Sequence, residues 1–319
     1  MNILVTGGAG FIGSNLIDRL LIEGHRVVCF DNFDFYYSPV RKWNNLKGAI
    51  KNRNFSLVSG DISRLEDIDA AFGSVRFDAV IHLAAKAGVR LSVLSPLAYF
   101  RINAQGTVNL LELCKKYSVR KFIFASSSSV YGNPERIPFI ETDSASNPLC
   151  QYAVTKRVSE LACYTYYNLY DMDIACIRPF TVYGPRQRPE MAIPIFVDKI
   201  YNGEKITVFG DGTTFRDYTY IDDIVLGILQ ILEIEHGFEI YNLGSSETVT
   251  VLGLIQEIEN LLCKKAKKVF LPFNFSEAVN TWADITKAKE KFGYSPKYNI
   301  KEGLKLYIDW YLEEKQNAL

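Results

Sequence analysis

The sequence has no excess of charge of either sign: 36 Lys plus Arg stand against 36 Asp plus Glu in 319 residues. A general nucleic-acid binder needs a basic footprint, so that class is excluded. There is no stretch of about 18 uncharged apolar residues, and therefore no expected membrane span. Six cysteines occur, at 29, 114, 150, 163, 176 and 263, but none are paired at C-x-x-C spacing. Scattered thiols in a chain this long fit a reducing cytoplasm better than a disulfide framework. The only histidines, His25, His82 and His236, are too dispersed for a His-rich metal site. The opening Met1-Asn2-Ile3-Leu4-Val5-Thr6-Gly7-Gly8 lacks the basic start and apolar run of a secretory signal. Internal repeats and low-complexity stretches are also missing.

What is present is ordinary for a folded soluble protein: 48% hydrophobic and 23% charged residues. Short apolar runs at 3–5, 26–30, 56–58, 79–82, 121–125 and 174–177 read as strands. Segments of helical period fall between them, at 11–23, 65–72, 97–117 and 150–170. Strand–helix alternation with nearly all-apolar strands predicts a parallel sheet covered on both faces. After about residue 180 the rhythm breaks at Gly184-Pro185-Arg186-Gln187-Arg188-Pro189. Helices are expected near 193–202, 222–234, 251–263 and 302–315, with strands at 207–209 and 239–242. The predicted organisation is residues 1–179, with a returning segment at about 218–243, and a smaller lobe from 180–217 and 244–319.

The first strand runs into Gly7-Gly8-Ala9-Gly10-Phe11-Ile12-Gly13, which matches G-x-G-x-x-G from Gly8. Glycines there let a pyrophosphate approach the backbone and sit on the helix N-terminus that Phe11 and Ile12 open. This context predicts an α/β, doubly wound, Rossmann-like sheet with a smaller α/β C-terminal substrate lobe. The second strand ends at Asp31-Asn32, 18 residues past Gly13. A carboxylate at that point accepts the adenosine ribose hydroxyls and repels a 2′-phosphate, which favours NAD over NADP. Asp61 and Ile62 are expected to cap the adenine. Leu83, Ala84 and Ala85 bring small residues beside the cofactor, and His82 receives no role.

Tyr152-Ala-Val-Thr-Lys156 sets a phenol and an ammonium four residues apart on one helix face. A nearby positive charge favours a phenolate, which can act as a general base. The same spacing recurs at Tyr117, Tyr201 and Tyr311, all expected on the surface. Ser127, 25 residues before Tyr152 and just past an apolar strand, separates the first match from the others. In a doubly wound sheet that strand end faces the ligand crevice, where a hydroxyl can bridge Tyr152 to a substrate oxygen.

Together these residues resemble the extended short-chain dehydrogenase/reductase family, and within it the nucleotide-sugar 4-epimerases. The resemblance extends over Asn103, Ser127–Gly132, Val182-Tyr183-Gly184-Pro185-Arg186 and Arg216-Asp217-Tyr218. It implies a tightly held NAD, contacted also by Lys86 and Asn103, and a UDP-sugar in the second lobe. The implied chemistry is C4 epimerisation through a transient 4-keto sugar: Tyr152 takes the 4-hydroxyl proton, and C4 is oxidised and then reduced from its other face. Related dehydratases carry Asp-Glu where this chain has Ser128-Ser129, and related decarboxylases carry a Glu there, so epimerisation is the expected reaction.

Ala87-Gly88-Val89-Arg90, the stretch from Phe180 to Ala192 and Thr281-Trp282-Ala283-Asp284 resemble the UDP-glucuronate 4-epimerases more than the neutral-sugar enzymes. A C6 carboxylate needs charge-assisted donors. Arg188, Ser128, Ser129 and Thr181 can supply them. By resemblance Arg90 joins the substrate site, Arg216 meets the diphosphate and Phe209 the uracil. Residues 273–277 depart from the pattern common in relatives. The alternatives are a UDP-glucose or UDP-N-acetylglucosamine 4-epimerase, a dehydrogenase with exchangeable NAD and, more remotely, a non-catalytic NAD-binding regulator. The helix from Tyr152 to Tyr170 carries only Lys156, Arg157 and Glu160 as charges, which predicts a two-fold four-helix interface with the helix at 97–117 and hence a homodimer.

Overall fold

The structure is a computed structural model that describes residues 1–272 and 278–317. In chain order its first half is β1 (Asn2–Thr6), α1 (Phe11–Ile22), β2 (Arg26–Asp31), α2 (Pro39–Asn45), β3 (Phe55–Ser59), α3 (Leu65–Ser74), β4 (Ala79–His82), α4 (Val89–Leu94), α5 (Pro96–Tyr99), α6 (Gly106–Lys116), β5 (Lys121–Ala125), α7 (Gln151–Tyr170) and β6 (Asp173–Pro179). The rest is β7 (Thr181–Tyr183), α8 (Ala192–Tyr201), β8 (Lys205–Phe209), β9 (Phe215–Arg216), β10 (Tyr218–Tyr220), α9 (Ile221–Leu232), β11 (Phe238–Leu243), β12 (Val249–Thr250), α10 (Val251–Leu262), β13 (Lys267–Leu271), α11 (Thr286–Phe292) and α12 (Ile300–Asn317).

Seven strands form one sheet in the order β11-β6-β5-β4-β1-β2-β3, parallel throughout. The period-two geometry of a strand sends successive side chains to opposite faces. Ile3 and Val5 accordingly join one buried cluster while Leu4 joins the other. Helices α1 and α9 cover the first face, through Leu16, Ile17, Leu20, Ile224 and Ile228. Helices α3, α6 and α7 cover the second, through Ile68, Phe72, Leu110, Leu111 and Cys163. With both faces covered, the central strands β1, β4 and β5 are buried along nearly their whole length and correspondingly apolar, while the edge strand β3 exposes Ser56 and Ser59. The strand order reverses between β1 and β4, and the carboxyl ends of the strands open there into a crevice.

The helix expected over 97–117 is subdivided. Pro96–Tyr99 is α-helical, Phe100–Gln105 is π-helical and Gly106–Lys116 is α-helical again. Single π turns are rare and cluster at functional sites. Here the turn contains Asn103, which is buried and clamps the chain beyond β4. Asn103 Oδ1 accepts from Lys86 N at 2.7 Å, and Nδ2 donates to Lys86 O at 3.0 Å and to Thr155 Oγ1 at 3.0 Å. Helix α2 had no counterpart in the sequence reading, because seven residues span too few turns for a clear period. No helix among the described residues is long and apolar enough to cross a membrane.

Candidate active site

The crevice at the sheet's switch point has a volume of about 950 Å³. Glycine geometry shapes one wall. A Cβ on Gly13 would lie 2.4 Å from Gly7 O and 2.7 Å from Gly8 Cα, so only glycine lets α1 start this close to β1. Gly7, at φ +69°, passes so near Ala84 that a Cβ would come within 2.7 Å of its nitrogen. A Cβ on Gly10 meets only Gly7 O, at 3.1 Å, so its outer face is open to the crevice. Backbone N–H groups at a helix start beside an open glycine are what a pyrophosphate needs.

Asp31, at the end of β2, is buried, and its carboxylate is held from two sides. Oδ1 accepts from Phe33 N at 2.8 Å and Oδ2 from Ala9 N at 3.1 Å. These bonds fix an acceptor pair at the edge of the glycine loop, which fits an NAD ribose. The donor set and the cradle thus match a dinucleotide. Gly7, Gly10, Phe11, Ile12, Gly13, Asp31, Asn32, Ile62, Leu83, Ala84, Ala85 and Lys86 all line the crevice. Asp61 and Asn103 are not among the lining residues. Asp61 instead takes Ser63 N at 2.8 Å and Asn32 Nδ2 at 3.4 Å. Burial opposes its charge, but these bonds and Arg101 outweigh burial and leave its pKa below the ordinary carboxylate value. His82 is fully buried between Thr6 Oγ1 at 2.7 Å and Thr107 Oγ1 at 3.0 Å, a packed strand end with its pKa pushed well down by burial.

Ser127, Tyr152 and Lys156 also line the crevice, brought together by the end of β5 and the first turns of α7. Amphipathic helices bury an apolar stripe. Helix α7 instead buries Lys156 and Glu160 beside Ala153 and Cys163. Lys156 Nζ donates to Ala125 O at 2.6 Å and lies 5.9 Å from the Tyr152 ring centroid. Burial lowers its pKa to about 7. The Tyr152 phenol is itself raised above 10 by burial. Its contact with Ser127 and the charge of Arg188 oppose that shift. Arg188 is thus a cation whose charge favours the phenolate, a role for which the sequence did not single it out. Of the other Tyr-x-x-x-Lys tyrosines, Tyr311 is not on the surface as expected. It is buried and donates to Asp198 at 2.7 Å.

Behind the catalytic candidates lies an ion-pair network that was missed. Glu160 accepts from Arg178 Nε and Nη2, each at 2.8 Å, from Arg157 Nη1 at 2.8 Å and from Ser126 Oγ at 2.6 Å. Burial works against its charge, but Arg178 and the other donors hold its pKa below the ordinary value. The only signal in sequence was Glu160's place one turn beyond Lys156, on the same face. The network joins α7, which carries Tyr152, to β6 and to the end of β5, which Ser127 follows.

Arg90, Ser128, Ser129, Thr181, Arg188, Phe209 and Arg216 line the same crevice, and Ser129 Oγ donates to Ser127 Oγ at 2.9 Å. The Arg90 guanidinium lies 4.7 Å from the Phe209 ring centroid. Arg216 donates to Val279 O at 2.6 Å and Ala278 O at 2.7 Å, so it braces the far wall. The neighbouring Asp217 is buried under bonds from Ser245, Ser246, Thr219 and Ala283. Arg188 Nη1 lies 3.1 Å from Glu190 Oε1 but is buried with no hydrogen-bond partner among the described residues. Its guanidinium stands 5.5 Å from the Tyr36 ring centroid. Tyr36 and Glu190 line the crevice and were not anticipated as site residues; Tyr36 sits in no motif, and Glu190 lies in the Phe180–Ala192 stretch without having been given a role. Residues 273–277, singled out in the sequence for their departure from relatives, lie outside the described residues.

A parallel sheet with this strand order, a glycine-cradled carboxylate and a Ser–Tyr–Lys group at the next strand ends define a dinucleotide-dependent enzyme of the Rossmann type. The chain belongs to the NAD dependent epimerase/dehydratase family, which residues 3–244 match. It is 43% identical over 308 residues to a UDP-glucuronate 4-epimerase of Thermodesulfobacterium geofontis, covering 96% of this chain and 95% of that one. The solved UDP-glucuronic acid 4-epimerase of Bacillus cereus, in complex with UDP-glucuronic acid and NAD, superposes with a TM-score of 0.92 at 37% identity, covering 98% and 100% of the two chains. A UDP-glucose 4-epimerase of Thermotoga maritima, solved with UDP-glucose, superposes at 0.91 with 34% identity, covering 99% and 100%. Backbone similarity therefore does not separate the two sugars, and the side chains must.

Proposed function

We propose that the protein epimerises UDP-glucuronate and UDP-galacturonate at C4, through a transient 4-keto sugar, with NAD held in the glycine cradle. The observation that carries the choice of sugar is Arg188, a cation lining the same crevice as Tyr152, whose buried Nη1 lies 3.1 Å from Glu190 Oε1 and has no hydrogen-bond partner among the described residues. A sugar carboxylate at C6 would form an ion pair with this guanidinium, which a hydroxymethyl cannot do. Ser128, Ser129 and Thr181 line the same space. NAD, when bound, supplies the reversible oxidation at C4. Tyr152 Oη takes and returns the hydroxyl proton, Ser127 bridges it to the sugar oxygen, and Lys156 holds the strand end through Ala125. Ser128 and Ser129 are hydroxyls, not carboxylates, so no side chain at those positions can promote elimination or decarboxylation.

In this reading residues 1–179 and 218–243 bind the cofactor, and 180–217 with 244–319 bind the nucleotide sugar. The test is separate incubation with UDP-glucuronate, UDP-glucose and UDP-N-acetylglucosamine, with products resolved by NMR. UDP-galacturonate should form without accumulation of NADH. Turnover of UDP-glucose alone would replace the assignment by the neutral-sugar reading, and net NADH would make the protein a dehydrogenase.

The same reading includes a homodimer in the cytoplasm. All six cysteines are free thiols, five of them buried, which suits a reducing compartment. Leu94, Leu97, Leu161, Tyr164 and Leu169 on α4, α5 and α7 are between 51% and 84% exposed. Covering such an apolar surface favours an isologous contact between two copies. Sedimentation at micromolar concentration should give about twice the 36.2 kDa chain mass. A monomer mass would refute it.

A further inference from the structure

We propose that Lys42 is the second half of the cofactor-selecting site: a cation that Asp31 neutralises, and that would accept a 2′-phosphate once the carboxylate is removed. The inference rests on the proposed placement of the NAD ribose at Asp31. Lys42 sits on α2, is 7% exposed and lines the same crevice as Gly7, Gly10 and Asp31. Its ammonium is 3.6 Å from Asp31 Oδ1 and 5.2 Å from the Tyr37 ring centroid. A buried ammonium needs a compensating charge, and Asp31 supplies it. The carboxylate also occupies two backbone donors, Ala9 N and Phe33 N.

Asp31 therefore does more than repel a 2′-phosphate. It masks three donors, one of them charged, that converge on a single point at the ribose edge. Neutralising Asp31 leaves an unpaired buried cation and two unsatisfied N–H groups. That is the donor set a phosphate dianion needs, with Lys42 in the place of the arginine that accommodates NADP in other Rossmann sites. NAD selection is thus a property of the pair and not of the aspartate alone.

The test uses the purified protein incubated with equimolar NAD and NADP, freed of unbound nucleotide, and assayed for bound nucleotide by chromatography. Wild type should retain NAD. In Asp31→Ala the NADP-to-NAD ratio should rise by at least about tenfold, a typical effect of one charge-assisted contact, and NADP should raise its Tm more than NAD does. Adding Lys42→Met to Asp31→Ala should abolish both effects while keeping the fold, since neither buried charge then remains. If Asp31→Ala does not fold, Asp31→Asn keeps an acceptor for the backbone donors and replaces it. Equal NADP uptake with and without Lys42→Met would overturn the proposal, as would a folded Asp31 variant that gains no NADP. A wild type that retains no NAD would instead overturn the cofactor reading beneath it.

Discussion

Tyr152→Phe is expected to lower turnover of UDP-glucuronate by roughly 10²–10⁴-fold, the usual contribution of a general base. The ring remains, so its edge contact with Tyr99, at 6.4 Å between centroids, survives and bound NAD should be retained. Only the ionisable oxygen is lost. Steady-state turnover with bound nucleotide measured on the same sample separates a lost base from a lost cofactor. Near-wild-type turnover would remove Tyr152 from the mechanism. Because burial raises the phenol and the base form is the phenolate, wild-type turnover should increase with pH over the range where this step limits the rate. The phenylalanine variant should lose that dependence.

Arg188→Ala should lower kcat/KM for UDP-glucuronate relative to UDP-glucose by at least about 30-fold. That is the lower end of the roughly 2–5 kcal/mol lost when one partner of a buried charge pair is truncated. The structure adds a qualification absent from the sequence. Arg188 also holds the Tyr152 phenol down, so its removal raises the base's pKa and slows both substrates at neutral pH. The common loss should shrink as pH rises, while the carboxylate-specific loss should persist. The ratio of the two specificity constants, wild type against variant, at two pH values, isolates the second component. An unchanged ratio would assign Arg188 to base tuning and loop structure and return the sugar assignment to the neutral-sugar alternative.

The parts of the site that were legible in sequence are those compressed into short segments. Gly7–Gly13 lies within one turn, and Tyr152 and Lys156 lie on one helix face. Asp31 and Ser127 are found by counting from strand ends. The parts that were not legible depend on residues far apart in the chain. Glu160 and Arg178 sit on different elements, and nothing about either side chain names the other. Arg188 comes within 5.5 Å of the Tyr36 ring centroid only because the loop after β7 approaches the chain that follows β2. Lys42 lies on a helix too short to announce itself, and only the folded chain sets it against Asp31.

The sequence alone determined the parallel α/β class, because apolar strand runs and helical periods are local and the two periods do not overlap. It also determined the cradle, because only glycine can pass so close to Ala84 and Gly7. Tertiary structure alone decided the electrostatics. Where a lysine's ammonium is anchored depends on the folded chain, and Ala125 O holds that of Lys156. Which arginine acts on the base and which carboxylate each lysine neutralises depend on distances of a few ångströms between residues remote in the chain. Charge interactions in a desolvated crevice change steeply over those distances, and no periodicity or spacing in the sequence encodes them.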